Sequence, residues 1–127
     1  MGRRPARALT ERELEVMHVY WSQGDATATE ARDRLAQTGL DRSYVTIANL
    51  VRALHEKGFL EQTNAERPFV YRPARSFEDV SGRLLGDVVE RVFRGSREQL
   101  LCRLLEERRL STKERAMLEQ ILKEQDR

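Results

Sequence analysis

Ser43, Tyr44, Thr46 and Asn49 stand close together in the stretch SYVTIANLVRALHEKG, Ser43 to Gly58. Each carries a hydroxyl or an amide that can donate or accept a hydrogen bond, and each is short or rigid enough to press against the edge of a base. Arg42 before them and Arg52 after them complete the candidate set on this segment. Ile47, Leu50, Val51 and Leu54 recur at helical spacing and form one apolar stripe, while Thr46, Asn49, Arg52 and Glu56 fall on other faces. The pattern predicts an amphipathic helix with the composition of a nucleic-acid recognition helix. Taken alone, it reads equally as a surface helix with an ordinary polar face.

Nothing else in the chain has the spacing of a reactive site. There are two histidines, His18 and His55, and no His-Glu-x-x-His, Gly-rich phosphate loop or Gly-x-Ser-x-Gly. The carboxylates sit on charged helix faces beside Arg and Lys, where pairing four residues apart accounts for them. Cys102 is the one cysteine, so no internal disulfide and no cysteine metal cluster can form. Flanked by Leu100, Leu101, Leu104 and Leu105, it is expected to be a core-facing thiol. These observations predict a protein that is not an enzyme and takes no metal or other cofactor.

Hydrophobic residues at 39% and charged residues at 35% of 127 suit a globular chain with many exposed helical faces. The apolar runs are too short to cross a bilayer, and MGRRPARALT lacks the apolar core of a signal peptide, so a cytoplasmic protein without membrane insertion is expected. The net charge of +2 favours a polyanion partner only weakly. Arg3, Arg4 and Arg7, however, precede any acidic residue and form an arm that can reach a phosphate backbone or a minor groove.

The elements that must hold the recognition segment can be read in order. Thr10 to Glu13 is a capping box opening a first helix with Leu14, Val16, Met17, Tyr20 and Trp21 on its apolar face, ended by Gly24. His18 among them is expected to be a packing or surface residue. Thr27 to Glu30 repeats the box and opens a second helix, from Thr29 to about Gln37, that buries Ala31 and Leu35. A short connector containing Gly39 leads into the Ser43 helix, the order of a helix-turn-helix. Phe59 to Thr63 and Pro68 to Arg72 are then two β-prone runs around a tip at Asn64 to Arg67. Three helices followed by a hairpin predict a winged helix, with Arg67 near the tip of the wing placed to meet the sugar-phosphate backbone.

Pro73-Ala74-Arg75 divides the chain into a DNA-binding domain over 1–75 and a helical domain over 76–127. The fold class is therefore mainly α with a small β-hairpin, a winged helix-turn-helix domain followed by a three-helix dimerisation domain. Ser76 to Asp79, Ser96 to Gln99 and Ser111 to Glu114 cap its helices. Val80, Leu84, Val88 and Val92 form one stripe, and Leu85, Val89 and Phe93 a second. Leu100, Leu101, Leu104 and Leu105, then Met117, Leu118, Ile121 and Leu122, line the other two helices. So small a domain has little core per residue. A homodimer built on this half is expected, with Leu84, Leu85, Val88, Val89, Val92, Leu101, Leu104, Leu105, Leu118, Ile121 and Leu122 at its interface.

The runs LTERELEVMHVYWSQGDATATEARDRL and SYVTIANLVRALHEKGFL, the hairpin with Arg67 and Tyr71-Arg72-Pro73, and RVFRGSREQLLCRLLEERRLSTKERAMLEQIL together resemble the penicillinase-repressor (BlaI/MecI/CopY) family of bacterial transcriptional repressors. The likeness covers nearly the whole chain. It implies a cytoplasmic homodimer whose winged helices bind a palindromic double-stranded DNA operator, with Ser43, Tyr44, Thr46 and Asn49 facing DNA and Arg67 holding the wing on phosphate. Ala53 stands where family members often carry arginine, which leaves a contact missing there with Arg52 one place earlier, and Asn49 stands where threonine is common. Members that answer to β-lactams are cut at an Asn-Phe bond, where this chain has Arg103-Leu104; members that answer to copper carry Cys-x-Cys pairs, absent here. A regulatory protease or sensor of another specificity, or a different signal, is what the resemblance leaves. A protein-interaction module without specific DNA binding is the rival reading, in which Tyr44, Val45 and the arm would meet a protein.

Overall fold

The computed structural model describes residues 9–107 and 109–126, and the arm with Arg3, Arg4 and Arg7 lies outside them. The elements are α1 (Glu11–Gln23), β1 (Ala26–Thr27), α2 (Ala28–Gln37), α3 (Tyr44–Glu56), β2 (Leu60–Gln62), β3 (Val70–Pro73), α4 (Phe77–Arg91), α5 (Arg97–Glu107) and α6 (Thr112–Gln125). Contacts divide the chain into two compact units, Met1–Leu84 and Leu85–Arg127. The division falls beyond the expected break at Arg75.

In the first unit the helix starts follow local hydrogen-bond chemistry. Thr10 Oγ1 accepts from the Glu13 amide at 3.1 Å and the Glu13 carboxylate accepts from the Thr10 amide at 2.9 Å, so two otherwise orphaned donors are satisfied. Thr27 and Glu30 do the same for α2, which starts one residue before the expected Thr29. The ends of α2 and α3 share one geometry. Gly39 donates to Ala36 O and Leu40 to Leu35 O; Gly58 donates to His55 O and Phe59 to Leu54 O. Both glycines have φ near +90°, which a side chain would make strained, and the paired bonds close the helix while turning the next residue inward. Phe59 is accordingly buried.

The core gathers Val16, Met17 and Tyr20 of α1, Ala31 and Leu35 of α2, and Ile47, Val51 and Leu54 of α3, with Phe59 and Leu60 closing one side. Tyr20 is fully buried and donates its hydroxyl to Ala26 O at 3.1 Å; burial, with the nearby Tyr71 and Glu30, pushes its ionisation far up, so it stays a neutral donor. Trp21 Nε1 donates to Arg75 O at 2.9 Å, tying α1 to the segment that enters α4. Val80 is buried in this core and Leu84 packs against it. Leu84, expected at the dimer interface, is therefore a partner of the first unit's core, because the first two turns of α4 lie on it.

The sheet holds a strand the sequence pattern did not announce. Its antiparallel order is β1-β3-β2, with Ala26 opposite Tyr71, Thr27 opposite Val70 and Glu61 opposite Arg72. Two residues are too few to show alternation, and Thr27 was accounted for as a helix cap. The second hairpin strand begins at Val70 rather than Pro68. Proline has no amide hydrogen for a ladder, and the Val70 amide instead donates to Asn64 Oδ1 at 2.7 Å. Asn64 Nδ2 also donates to Glu66 O and Pro68 O, at 2.9 and 3.1 Å, so one side chain organises the whole tip.

The second unit comprises the rest of α4, α5 and α6. Ser96 Oγ accepts from the Gln99 amide, and Ser111 and Glu114 form a full capping box, as their spacing predicts. Among the described residues of this unit no side chain is buried. Val92 is 67% exposed and Leu104 58% exposed. Cys102, expected to face a core, is exposed as well, like Leu101, Leu104 and Leu105 on the same helix.

Candidate nucleic-acid interface

The recognition segment is held from behind and capped at its start. Ser43 is the N-cap of α3: its Oγ accepts from the Thr46 amide at 3.1 Å and lies 2.9 Å from Thr46 Oγ1. The Ser43 hydroxyl therefore donates to the Thr46 hydroxyl while accepting from the Thr46 amide, both residues at or near the surface. At the other end, Lys57 Nζ donates to both oxygens of the Glu13 carboxylate at 2.8 and 2.9 Å. Burial pushes the Glu13 carboxyl up, but the Lys57 hydrogen bond, the Thr10 contacts and the Lys57 charge outweigh it and hold its pKa below the ordinary 4.5. Glu13 thus caps α1 and anchors α3 at once.

A groove of about 630 Å³ separates the exposed face of α3 from the wing. Tyr44, Val45, Ala48, Asn49 and Arg52 line one wall, Arg67, Pro68, Phe69 and Tyr71 the other, and Thr27 to Thr29 at the start of α2 close one end. Among the described residues no carboxylate lines it. Arg67 places its guanidinium 4.9 Å from the Phe69 ring centroid, a cation–π contact that orients the charge. Among the described residues neither Arg52 nor Arg67 takes part in an ion pair.

Of the seven residues expected to face DNA, the groove brings together Tyr44, Asn49, Arg52 and Arg67. Ser43 and Thr46 are set at the helix start, outside the groove lining. Arg42 is placed differently from expectation. Its Nε and Nη2 donate to the Glu15 carboxylate at 3.0 to 3.2 Å, so the guanidinium braces α3 against α1. Arg52 lines the groove and Ala53, the position where family arginines are common, does not.

Sequence reasoning gave Val45 and Phe69 no part in a DNA-reading site. A signal for Val45 existed: Val45, Ala48, Asn49 and Arg52 follow the i, i+3, i+4, i+7 rule as faithfully as the buried stripe does. His18 is exposed and stands edge-on to Trp21, with centroids 5.3 Å apart, and 6.1 Å from Phe77, a surface position against two aromatic rings.

A capped helix facing an arginine-bearing hairpin across a carboxylate-free groove defines a winged-helix DNA-binding protein. The chain belongs to the penicillinase repressor family, whose model matches residues 9–124, and it is a DNA-binding transcriptional repressor. It is similar to the penicillinase repressor of Bacillus licheniformis, with 30% identity over 91% of this chain and 90% of that one. The methicillin resistance regulatory protein MecI of Staphylococcus aureus is 26% identical over 90% of this chain and 92% of its own length. Among solved structures, the DNA-binding domain of the repressor BlaI matches with a TM-score of 0.50 and 32% identity, covering 62% of this chain and 93% of that domain. Among the described residues no helix is long and apolar enough to cross a membrane.

Proposed function

We propose that this repressor binds a palindromic operator as a cytoplasmic homodimer, with α3 in the major groove and the wing on the sugar-phosphate backbone. The observation that carries the reading is the α3–wing groove, which holds two arginines without an acidic partner in a chain of nearly balanced charge. In this reading Asn49, with an amide able to bond bidentately to adenine, supplies base choice. Arg52 takes the place of the arginine common at the next position, and Arg67 fixes the wing on phosphate. The exposed apolar stripes of the second unit are what a second copy would cover. Arg103 and Leu104 are exposed on α5, so relief of repression by cleavage there would need a protease that does not read Asn-Phe.

Fluorescence anisotropy against random duplex and against duplexes selected by the protein tests this. Affinity should fall by about 0.9 log units per log unit of salt for each phosphate contacted. Two subunits should bind each selected palindrome, with half-sites about 10 bp or a multiple apart. Asn49→Ala should cost about 1–3 kcal/mol on the preferred sequence and relax one position per half-site. Weak binding with no sequence preference at any salt would overturn the operator reading in favour of a protein-docking winged helix.

A further inference from the structure

Val45 is 65% exposed in the first turn of α3, the highest exposure of any large apolar side chain in the first unit apart from residues outside those described. It lines the groove next to Ala48 and Asn49. A β-branched side chain in a helix has essentially one rotamer, so its isopropyl group projects as a rigid apolar surface. That surface can neither donate nor accept. Pressed against a polar base edge it would strip water from the edge and return nothing.

The major groove displays one apolar group, the C5 methyl of thymine. We infer that Val45 reads a thymine methyl in each half-site, within two base steps of the base contacted by Asn49; this rests on α3 lying in the major groove. Val45 and Asn49 are four residues apart on one helix face, with Cβ atoms about 5–6 Å apart. Base steps along a strand are about 3.4 Å. The thymine therefore lies one or two steps from the pair that Asn49 reads. Ala48 on the same wall is small enough to leave the methyl room.

The test replaces each thymine of the selected operator, one symmetric pair at a time, with deoxyuridine, which removes the methyl and no hydrogen-bonding group. Anisotropy is then measured with the full chain and with Val45→Ala, whose substitution at an exposed site leaves the core intact. One thymine, within two steps of the position relaxed by Asn49→Ala, should lose about fourfold in affinity per half-site on methyl removal, the worth of one buried methyl group. Val45→Ala should lose a similar amount on the thymine operator and nothing more on the uracil one. Deoxyuridine that is neutral at every position, or that costs Val45→Ala as much as the parent, overturns the inference while leaving the operator reading intact. Absence of any preference for the unsubstituted operator overturns both.

Discussion

Leu54 on α3 and Leu118 on α6 each belong to an apolar stripe at helical spacing, yet Leu54 is fully buried and Leu118 is 40% exposed. The same holds for whole elements. Val16, Met17, Ile47 and Val51 close on one another in the first unit, while Leu101, Leu104, Leu105, Ile121 and Leu122 of the second stand at about half exposure. Amphipathic periodicity states which face of a helix needs covering. It does not state whether the cover comes from the same chain, and among the described residues only the first unit's stripes are covered.

The sharpest way to break that contrast is to truncate one leucine in each unit. Leu54→Ala should destabilise the first unit by about 2–5 kcal/mol, at any protein concentration, because it opens a cavity in a closed core. Leu118→Ala tests what covers α6. With a second copy on it, the loss appears as a denaturation midpoint that depends on protein concentration, since association stabilises by mass action. With nothing on it, the change stays within about 0.5 kcal/mol and concentration has no effect. Urea unfolding at several concentrations separates the two, and the homodimer reading expects the first.

A smaller effect concerns how the first unit is locked. Glu13→Gln keeps a capping group at the start of α1 but removes the charge facing Lys57, leaving a half-buried ammonium without its partner. The expected cost at neutral pH is about 2 kcal/mol, below that of a fully buried pair because Lys57 keeps some solvent access. The sign of its pH dependence follows from the depressed carboxyl. A folded pKa below the ordinary 4.5 means that the stabilisation is present above that value and is lost as pH falls through the lower folded value. The difference between parent and variant should therefore shrink on acidification from pH 5 downwards. A difference that stays constant would place Glu13's contribution in capping alone.

What could be read from the sequence is what lies close together along it. The boxes at Thr10, Thr27 and Ser111 and the stripe of Ile47, Leu50, Val51 and Leu54 are interactions over three or four residues, and each takes the form its spacing implies. Asn49, Arg52 and Arg67 stand out by residue type plus the order of elements, and all three line one groove. The contacts that the sequence pattern leaves out have a common physical origin. Pairing of β1 with β3, the Asn64 wing tip, Glu13 with Lys57 and Leu84 on the first core all depend on what a fold brings across, which periodicity does not encode. Cys102 is exposed although its neighbours in sequence are apolar, because such neighbours do not say which chain supplies a cover.

Arg42 offers the finest division between those two kinds of information, because residue type placed it on DNA while the fold places it on Glu15. The pair is partly exposed, at 23% and 18%, so removing it should cost only about 1 kcal/mol of stability. Binding separates the roles more clearly than stability does. A guanidinium that neutralised a phosphate would take close to 0.9 from the salt slope when replaced by alanine. One whose donors are held by Glu15 takes nothing from the slope, and weakens operator binding only as far as the start of α3 loosens. Arg42→Ala and Glu15→Gln should then behave alike, with a small loss of affinity, an unchanged slope and similar loss of stability. A slope lowered by Arg42→Ala and not by Glu15→Gln would return Arg42 to the phosphate backbone, and would mean that its bond to Glu15 gives way when DNA is bound.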